Sequence, residues 1–160
     1  MRNSFLFAAT AAEADGRRLW MFGGRDSAGC ALRDVWTFDA HTGQWCARQP
    51  GGALPPPREA CAAILCGHTL LVAGGFDAAG DALSCVWALD TRALAWECVL
   101  PHAPGVLATA TGVGPHAPRG AYWAWEETDE CVVLHVLRPD AGGSLCVHEA
   151  IRITRPADSA

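Results

Sequence analysis

Catalysis or metal binding requires several reactive side chains to converge on one point, so the histidines, cysteines, tyrosine and carboxylates are weighed first. The six histidines stand far apart: His41 and His68 where turns are expected, His102 and His116 in a Pro-rich stretch, and His135 and His148 toward the C-terminus. None pairs with another at metal-ligand spacing. The nearest approach to a metal pattern is Cys61-x4-Cys66 with His68. That stretch reads as a strand and a turn, which sends Cys61 and Cys66 to opposite faces. Tyr122 is the single tyrosine, no Gly-x-Ser-x-Gly hydrolase turn occurs, and no phosphate-cradling glycine motif is present. Glu126, Glu127, Asp129 and Glu130 offer carboxylates for a divalent cation, yet such a charge run is more commonly a solvated turn. From these residues we expect no catalytic residue, no metal and no cofactor.

The elements that would position such groups follow from composition. At 160 residues, 51% hydrophobic and 18% charged, the chain suits one globular unit with many short elements. All twelve basic residues are Arg, none is clustered, and the net charge is −5, which opposes a nucleic-acid partner. No run approaches the ~18 apolar residues of a membrane span, so no membrane partner is expected. The eight cysteines, Cys30, Cys46, Cys61, Cys66, Cys85, Cys98, Cys131 and Cys146, are scattered singly, most of them in apolar runs. They are expected to be reduced, small buried hydrophobes, in a reducing and therefore cytoplasmic setting. Residues 1–15 mimic a weak secretion signal, with Arg2, an apolar stretch over 5–12 and Ala12-Glu13-Ala14. That apolar stretch is near the minimum length for a signal core, and the repeat described next claims it as a strand.

An offset of 51 residues superimposes residues 16–45 on 67–96 without a gap. Thirteen of thirty positions are identical, among them Gly23/Gly74, Gly24/Gly75, Asp26/Asp77, Trp36/Trp87 and Trp45/Trp96. Unrelated segments would share about two. Within each unit the elements are a few residues long, β-branched or aromatic, and separated by glycine turns; no segment sustains a helical period. A meander repeating every ~50 residues is the pattern of a propeller blade.

The motifs Leu-x-x-Phe-Gly-Gly (19–24), Asp-Val-Trp-x-Phe-Asp (34–39), Thr-Gly-Gln-Trp (42–45) and Pro57-Arg58 resemble the kelch repeat, and the unit is similar to the central domain of galactose oxidase. The resemblance implies an all-β fold: a kelch-type β-propeller fragment of two clear blades plus one degenerate blade, each a four-stranded antiparallel sheet. The first blade is placed at residues 5–48, the second at 58–99, a Pro-rich linker at 100–117 and the degenerate blade at 118–152. Strands are expected at 5–11, 18–22, 33–39 and 44–48, then at 60–65, 69–73, 84–90 and 95–99, and in the last blade at 121–125, 131–137 and 145–151. The glycine pairs Gly23-Gly24 and Gly74-Gly75 end strands where backbones crowd. Trp36, Trp45, Trp87 and Trp96 are suited to filling the space between neighbouring sheets. Arg58 and Arg119 follow proline and precede inner strands, and the resemblance makes them structural donors or, less often, ligand contacts near the channel. Cys85 occupies the slot of Asp34, and Ala93-Leu94-Ala95 replaces Thr42-Gly43-Gln44, which predicts a less regular outer turn in the second blade.

Closed propellers have four to eight blades. Two and a fraction imply further blades in a longer product, self-association, or an open array with exposed edge strands, the first being favoured because unpaired edges invite aggregation. The function implied is a non-catalytic scaffold whose loops meet a partner protein. The contacts are placed at Arg25, Asp26, Arg58, Phe76, Asp77 and Asp81, with simple turn capping as the alternative for Asp26 and Asp77. A galactose-oxidase-like copper enzyme, or part of a kelch-containing enzyme, is the competing class. Copper-radical chemistry needs tyrosine and histidine ligands, and a lone tyrosine does not carry it over. The thiol expectation is checked directly: titration of the denatured, unreduced chain finds eight free thiols, and stoichiometric bound zinc contradicts it.

Overall fold

Short apolar runs broken by glycine turns close most economically as antiparallel hairpins, because each turn leaves the next strand beside the last. The computed structural model describes residues 9–13, 15–101, 122–127, 131–139 and 145–154; in the last three stretches, side chains are described at Glu126, Val132, Val133, Arg152 and Ile153. All regular structure there is β-strand, and no helix is long and apolar enough to cross a membrane. Strands β1 (Ala9–Ala12), β2 (Arg18–Phe22), β3 (Val35–Asp39) and β4 (Gln44–Arg48) form one antiparallel sheet in chain order. Strands β6 (Ala62–Cys66), β7 (Thr69–Ala73), β8 (Val86–Asp90) and β9 (Ala95–Leu100) repeat it. A third sheet holds β10 (Tyr122–Glu127), β11 (Cys131–Pro139) and β12 (Leu145–Thr154). The architecture is that of a partial propeller. Residues 1–8 and 102–121, which include most of the Pro-rich linker and Arg119, lie outside the described residues, as do the side chains of Cys131, Cys146, His135 and His148.

One element was not expected. β5 (Gly51–Gly52), within the connection between the first two sheets, pairs in parallel with β9 and extends the second sheet to five strands. A glycine is required there: Gly52 has φ +82°, and a Cβ would stand 2.5 Å from the Trp96 carbonyl oxygen.

The middle sheet is apolar on both faces because both are covered. Leu70, Val72 and Leu89 pack toward the first sheet with Trp20, Phe22, Val35 and Trp96. Their neighbours Leu71, Ala73, Val86 and Ala88 pack the other way, with Val132 and Ile153 of the third sheet. Alternation along a strand therefore does not produce a polar face, and Leu70 to Ala73 reads as an unbroken apolar run. The Phe22 and Trp96 rings meet edge to face at 5.1 Å across the first junction. Of the four tryptophans expected between sheets, Trp96 is 4% exposed, Trp36 and Trp87 are half-buried, and Trp45 is 42% exposed.

The cysteine expectation is corrected by this packing. Among the described cysteines only Cys66 is buried; Cys61 and Cys85 are half-buried, and Cys30, Cys46 and Cys98 are exposed, the first on a loop and the other two on the outer strands β4 and β9. All six are free thiols. Cys61 and Cys66 do serve opposite faces, with Cys61 against the first-junction cluster and Cys66 in the second.

The outer turn of the second sheet is also more regular than expected. Asp39 Oδ1 accepts from His41 N and Thr42 N, and Asp90 Oδ1 accepts from Arg92 N and Ala93 N, so both turns use one scheme. Leu94 takes φ 50°, the conformation that Gly43 takes at φ 68°. A side chain in that region costs about 1–2 kcal/mol. Partial burial of Leu94 in the first-junction cluster offsets it.

Two outcomes follow. The turn N–H groups, Thr42 N foremost for Asp39 and Ala93 N for Asp90, hold both carboxyls below the usual carboxylate range. Their stabilisation is complete above the ordinary carboxyl pKa of about 3.9 and is lost as pH falls through the lower folded value. An Asp39→Asn/Asp90→Asn double variant therefore shows a shallower acid limb in denaturation measured against pH. Separately, Gly75→Ala unfolds at lower denaturant than Gly80→Ala. Both positions have positive φ, but only at Gly75 does a Cβ meet backbone, 2.6 Å from the Glu59 carbonyl oxygen.

Candidate protein-interaction surface

At one end of the sheets lie the β2–β3 and β7–β8 loops, residues 25–31 and 76–82, and they share a single scaffold. Asp26 N donates to Cys30 O at 3.0 Å, and Asp26 Oδ1 accepts from Ala28 N and Cys30 N at 2.9 and 2.8 Å. Asp77 N donates to Asp81 O at 3.0 Å, and Asp77 Oδ1 accepts from Ala79 N and Asp81 N at 2.9 Å each. One oxygen of each aspartate is thus engaged by its own loop, the capping role foreseen as the alternative. Leu32 N to Gly24 O and Leu83 N to Gly75 O, both 2.8 Å, close the loops identically. On this common backbone the side chains differ: Arg25 matches Phe76, Ser27 matches Ala78 and Cys30 matches Asp81.

Arg25 makes a two-pronged pair through Nε and Nη2 with the Glu59 carboxylate, and its Nη1 donates to Gly29 O at 2.9 Å. That partner holds the guanidinium in its charged form, raising its pKa. Glu59 stands 34 residues away, at the entry to β6, and exchanges backbone bonds with Phe76. Sequence reading missed it, because nothing local to Arg25 marks a partner so distant.

Arg58, expected at the partner face, is instead fully buried. Its Nη1 donates to Gly74 O at 2.9 Å, Nε to Pro56 O at 3.3 Å and Nη2 to Cys85 Sγ at 3.1 Å. Its backbone is tied to the first sheet: Arg58 N donates to Leu32 O and its carbonyl accepts from Gly24 N, each at 2.8 Å. The residue rivets one sheet to the next and is out of reach of a partner. The substitution at its thiol neighbour is visible in the repeat, where Trp36 Nε1 donates to Asp34 Oδ2 at 2.7 Å and Trp87 Nε1 to Cys85 Sγ at 3.3 Å. Phe76 and Asp77 remain half-exposed and Asp81 exposed, so the structure keeps Arg25, Asp26, Phe76, Asp77 and Asp81 at the loop end and removes Arg58.

At the opposite end, a cleft of about 290 Å³ is lined by Glu13, Asp15, Arg17, Arg18, Asp39 and His41. Within it Glu13 Oε1 accepts from Arg18 Nη1 at 3.2 Å and from Trp20 Nε1 at 3.1 Å, while Asp15 and Asp39 accept from backbone N–H groups. No group of three or more His, Cys, Asp or Glu among the described residues could hold a metal ion. His68 contacts the Arg92 guanidinium, and the Tyr122 side chain lies outside the described residues.

Three sheets of this kind define a propeller module with a loop end. Residues 6–116 match the family model described as the KLHDC2/KLHL20/DRC7 Kelch-repeats domain, which covers more than half of the chain. The chain belongs to the kelch-repeat family. It is 27% identical over 82 residues to Kelch domain-containing protein 3 of Bos taurus, covering 51% of this chain and 22% of that protein. It is 31% identical over 85 residues to Tip elongation aberrant protein 1 of Schizosaccharomyces pombe, covering 51% of this chain and 7% of that protein. The chain therefore spans a minor part of both relatives. Kelch domains generally mediate protein–protein interaction, and the likeness to galactose oxidase is one of fold.

The Arg58 geometry has a measurable consequence. Cys85→Asp places a carboxylate opposite the buried guanidinium and raises the unfolding free energy by about 1–3 kcal/mol, whereas Arg58→Ala lowers it by about 3–5 kcal/mol, in urea denaturation.

Proposed function

We propose that this chain is a non-catalytic interaction module whose loop end, residues 25–31 and 76–82, receives a partner protein. The observation that carries this reading is the pair of loops with matching backbone bonds and unlike side chains, Arg25 against Phe76 and Cys30 against Asp81. A rigid scaffold with changeable tips lets recognition vary without disturbing the sheets. Phe76 supplies partly exposed aromatic area, and Asp81 supplies a charge at the rim. Family membership supports the interaction class, and no observation favours the copper-oxidase alternative. A cytoplasmic setting is part of the proposal, resting on the sequence's singly scattered cysteines alone.

A photo-crosslinking residue placed at Ala79 captures a discrete partner in cells, whereas the same residue at Thr42, on the opposite turn end, does not. Phe76→Ala and Asp81→Arg together weaken capture at least about tenfold with an unchanged circular dichroism spectrum. Capture from Thr42 instead, or an unaffected double variant, overturns the reading.

A further inference from the structure

Asp34 and Cys85 hold the same position in the two copies of the repeat, and each receives the indole N–H of the tryptophan two residues on. The bond is 2.7 Å from Trp36 Nε1 to Asp34 Oδ2 and 3.3 Å from Trp87 Nε1 to Cys85 Sγ. In the second copy a further donor reaches the sulfur, Arg58 Nη2 at 3.1 Å. That guanidinium is fully buried, and its Nη1 and Nε end on the carbonyl oxygens of Gly74 and Pro56. No ion pair to Arg58 is present among the described residues. The second copy therefore buries a cation where the repeat's usual anion has been replaced by a thiol, an arrangement that favours any reaction placing negative charge on that sulfur.

A cysteine sulfinate is the near counterpart of an aspartate: one methylene, two oxygens and one negative charge, with sulfur in place of the carboxyl carbon. The first copy accommodates such a two-oxygen anion at the matching position. Cys85 is half-buried, within reach of a small oxidant. We propose that Cys85 is an oxidation site, converted by hydrogen peroxide to a sulfinate that Arg58 and Trp87 hold. The sulfur attacks one peroxide oxygen, the O–O bond breaks and water leaves, giving the sulfenic acid. A second peroxide repeats the step to the sulfinic acid, whose proton passes to solvent. Each peroxide is reduced to water as the sulfur gives up two electrons. Cys98, on β9 across from Trp87, is the neighbouring thiol. Partial burial, foremost, and Cys85 beside it push the Cys98 thiol up, which makes it a poor nucleophile for trapping the sulfenic acid as a disulfide. None of this draws on the proposed partner binding.

Peroxide treatment of the folded, reduced full chain, with each cysteine peptide followed by mass spectrometry, tests it. Cys85 gains two oxygens at least about tenfold faster than Cys30, Cys46 and Cys98, the order that one charge-assisted hydrogen bond supplies, although those three are more exposed. In the urea-unfolded chain the preference disappears. At a dose that modifies Cys85 alone, the urea midpoint rises, and Cys85→Ser treated alike shows no rise. Faster oxidation of the exposed thiols, a Cys85–Cys98 disulfide in place of the sulfinate, or an unchanged or lower midpoint overturns the proposal.

Discussion

The junction between the first two sheets depends on a single buried cation. The Arg58 guanidinium has no solvent exposure, and its donors end on two carbonyl oxygens and a thiol, with no carboxylate among them. Removing a guanidinium from water costs several kcal/mol unless its donors are satisfied. Its backbone N–H and carbonyl meanwhile hold Leu32 and Gly24 of the first sheet, while its side chain holds Gly74 and Cys85 of the second. The two glycine pairs make this possible. A Cβ at Gly23 would lie 2.5 Å from the Arg58 carbonyl oxygen, so the incoming chain passes only because that side chain is absent.

Around that rivet the two repeats show what a propeller unit must keep and what it can change. Loop hydrogen bonds, the aspartate-capped outer turns and the strand registers recur. Where the second copy loses Gly43, Leu94 nevertheless adopts the left-handed conformation. Sheet pairing and burial on the neighbouring cluster outweigh a local strain of about 1–2 kcal/mol, which is an instance of tertiary packing overriding backbone preference. Loop tips carry no such load, and there the copies diverge.

Burial decides the fate of residues that the repeat treats alike. Trp45 and Trp96 occupy one position in the unit, yet one faces solvent and the other fills a junction. The difference lies in their neighbours: Trp96 meets Phe22 of the adjoining sheet, whereas Trp45 lies on Phe38 of its own.

The sequence by itself determined the four-strand meander shared by the two repeats, the paired glycines and the all-β class, since these rest on period, turn chemistry and self-similarity over a few residues. The glycine pairs and Asp26 and Asp77 were legible for that reason, and so was the Cys85 replacement of Asp34. Only the tertiary structure decided that Arg58 is a rivet and not a contact, that Arg25 is paired with Glu59, that β5 joins β9, and that Cys30, Cys46 and Cys98 are exposed. Each of these turns on which distant segment lies alongside, 34 residues away for Glu59 and 27 for Cys85. Desolvation and pairing depend on that three-dimensional neighbourhood, and residue type and local spacing do not encode it.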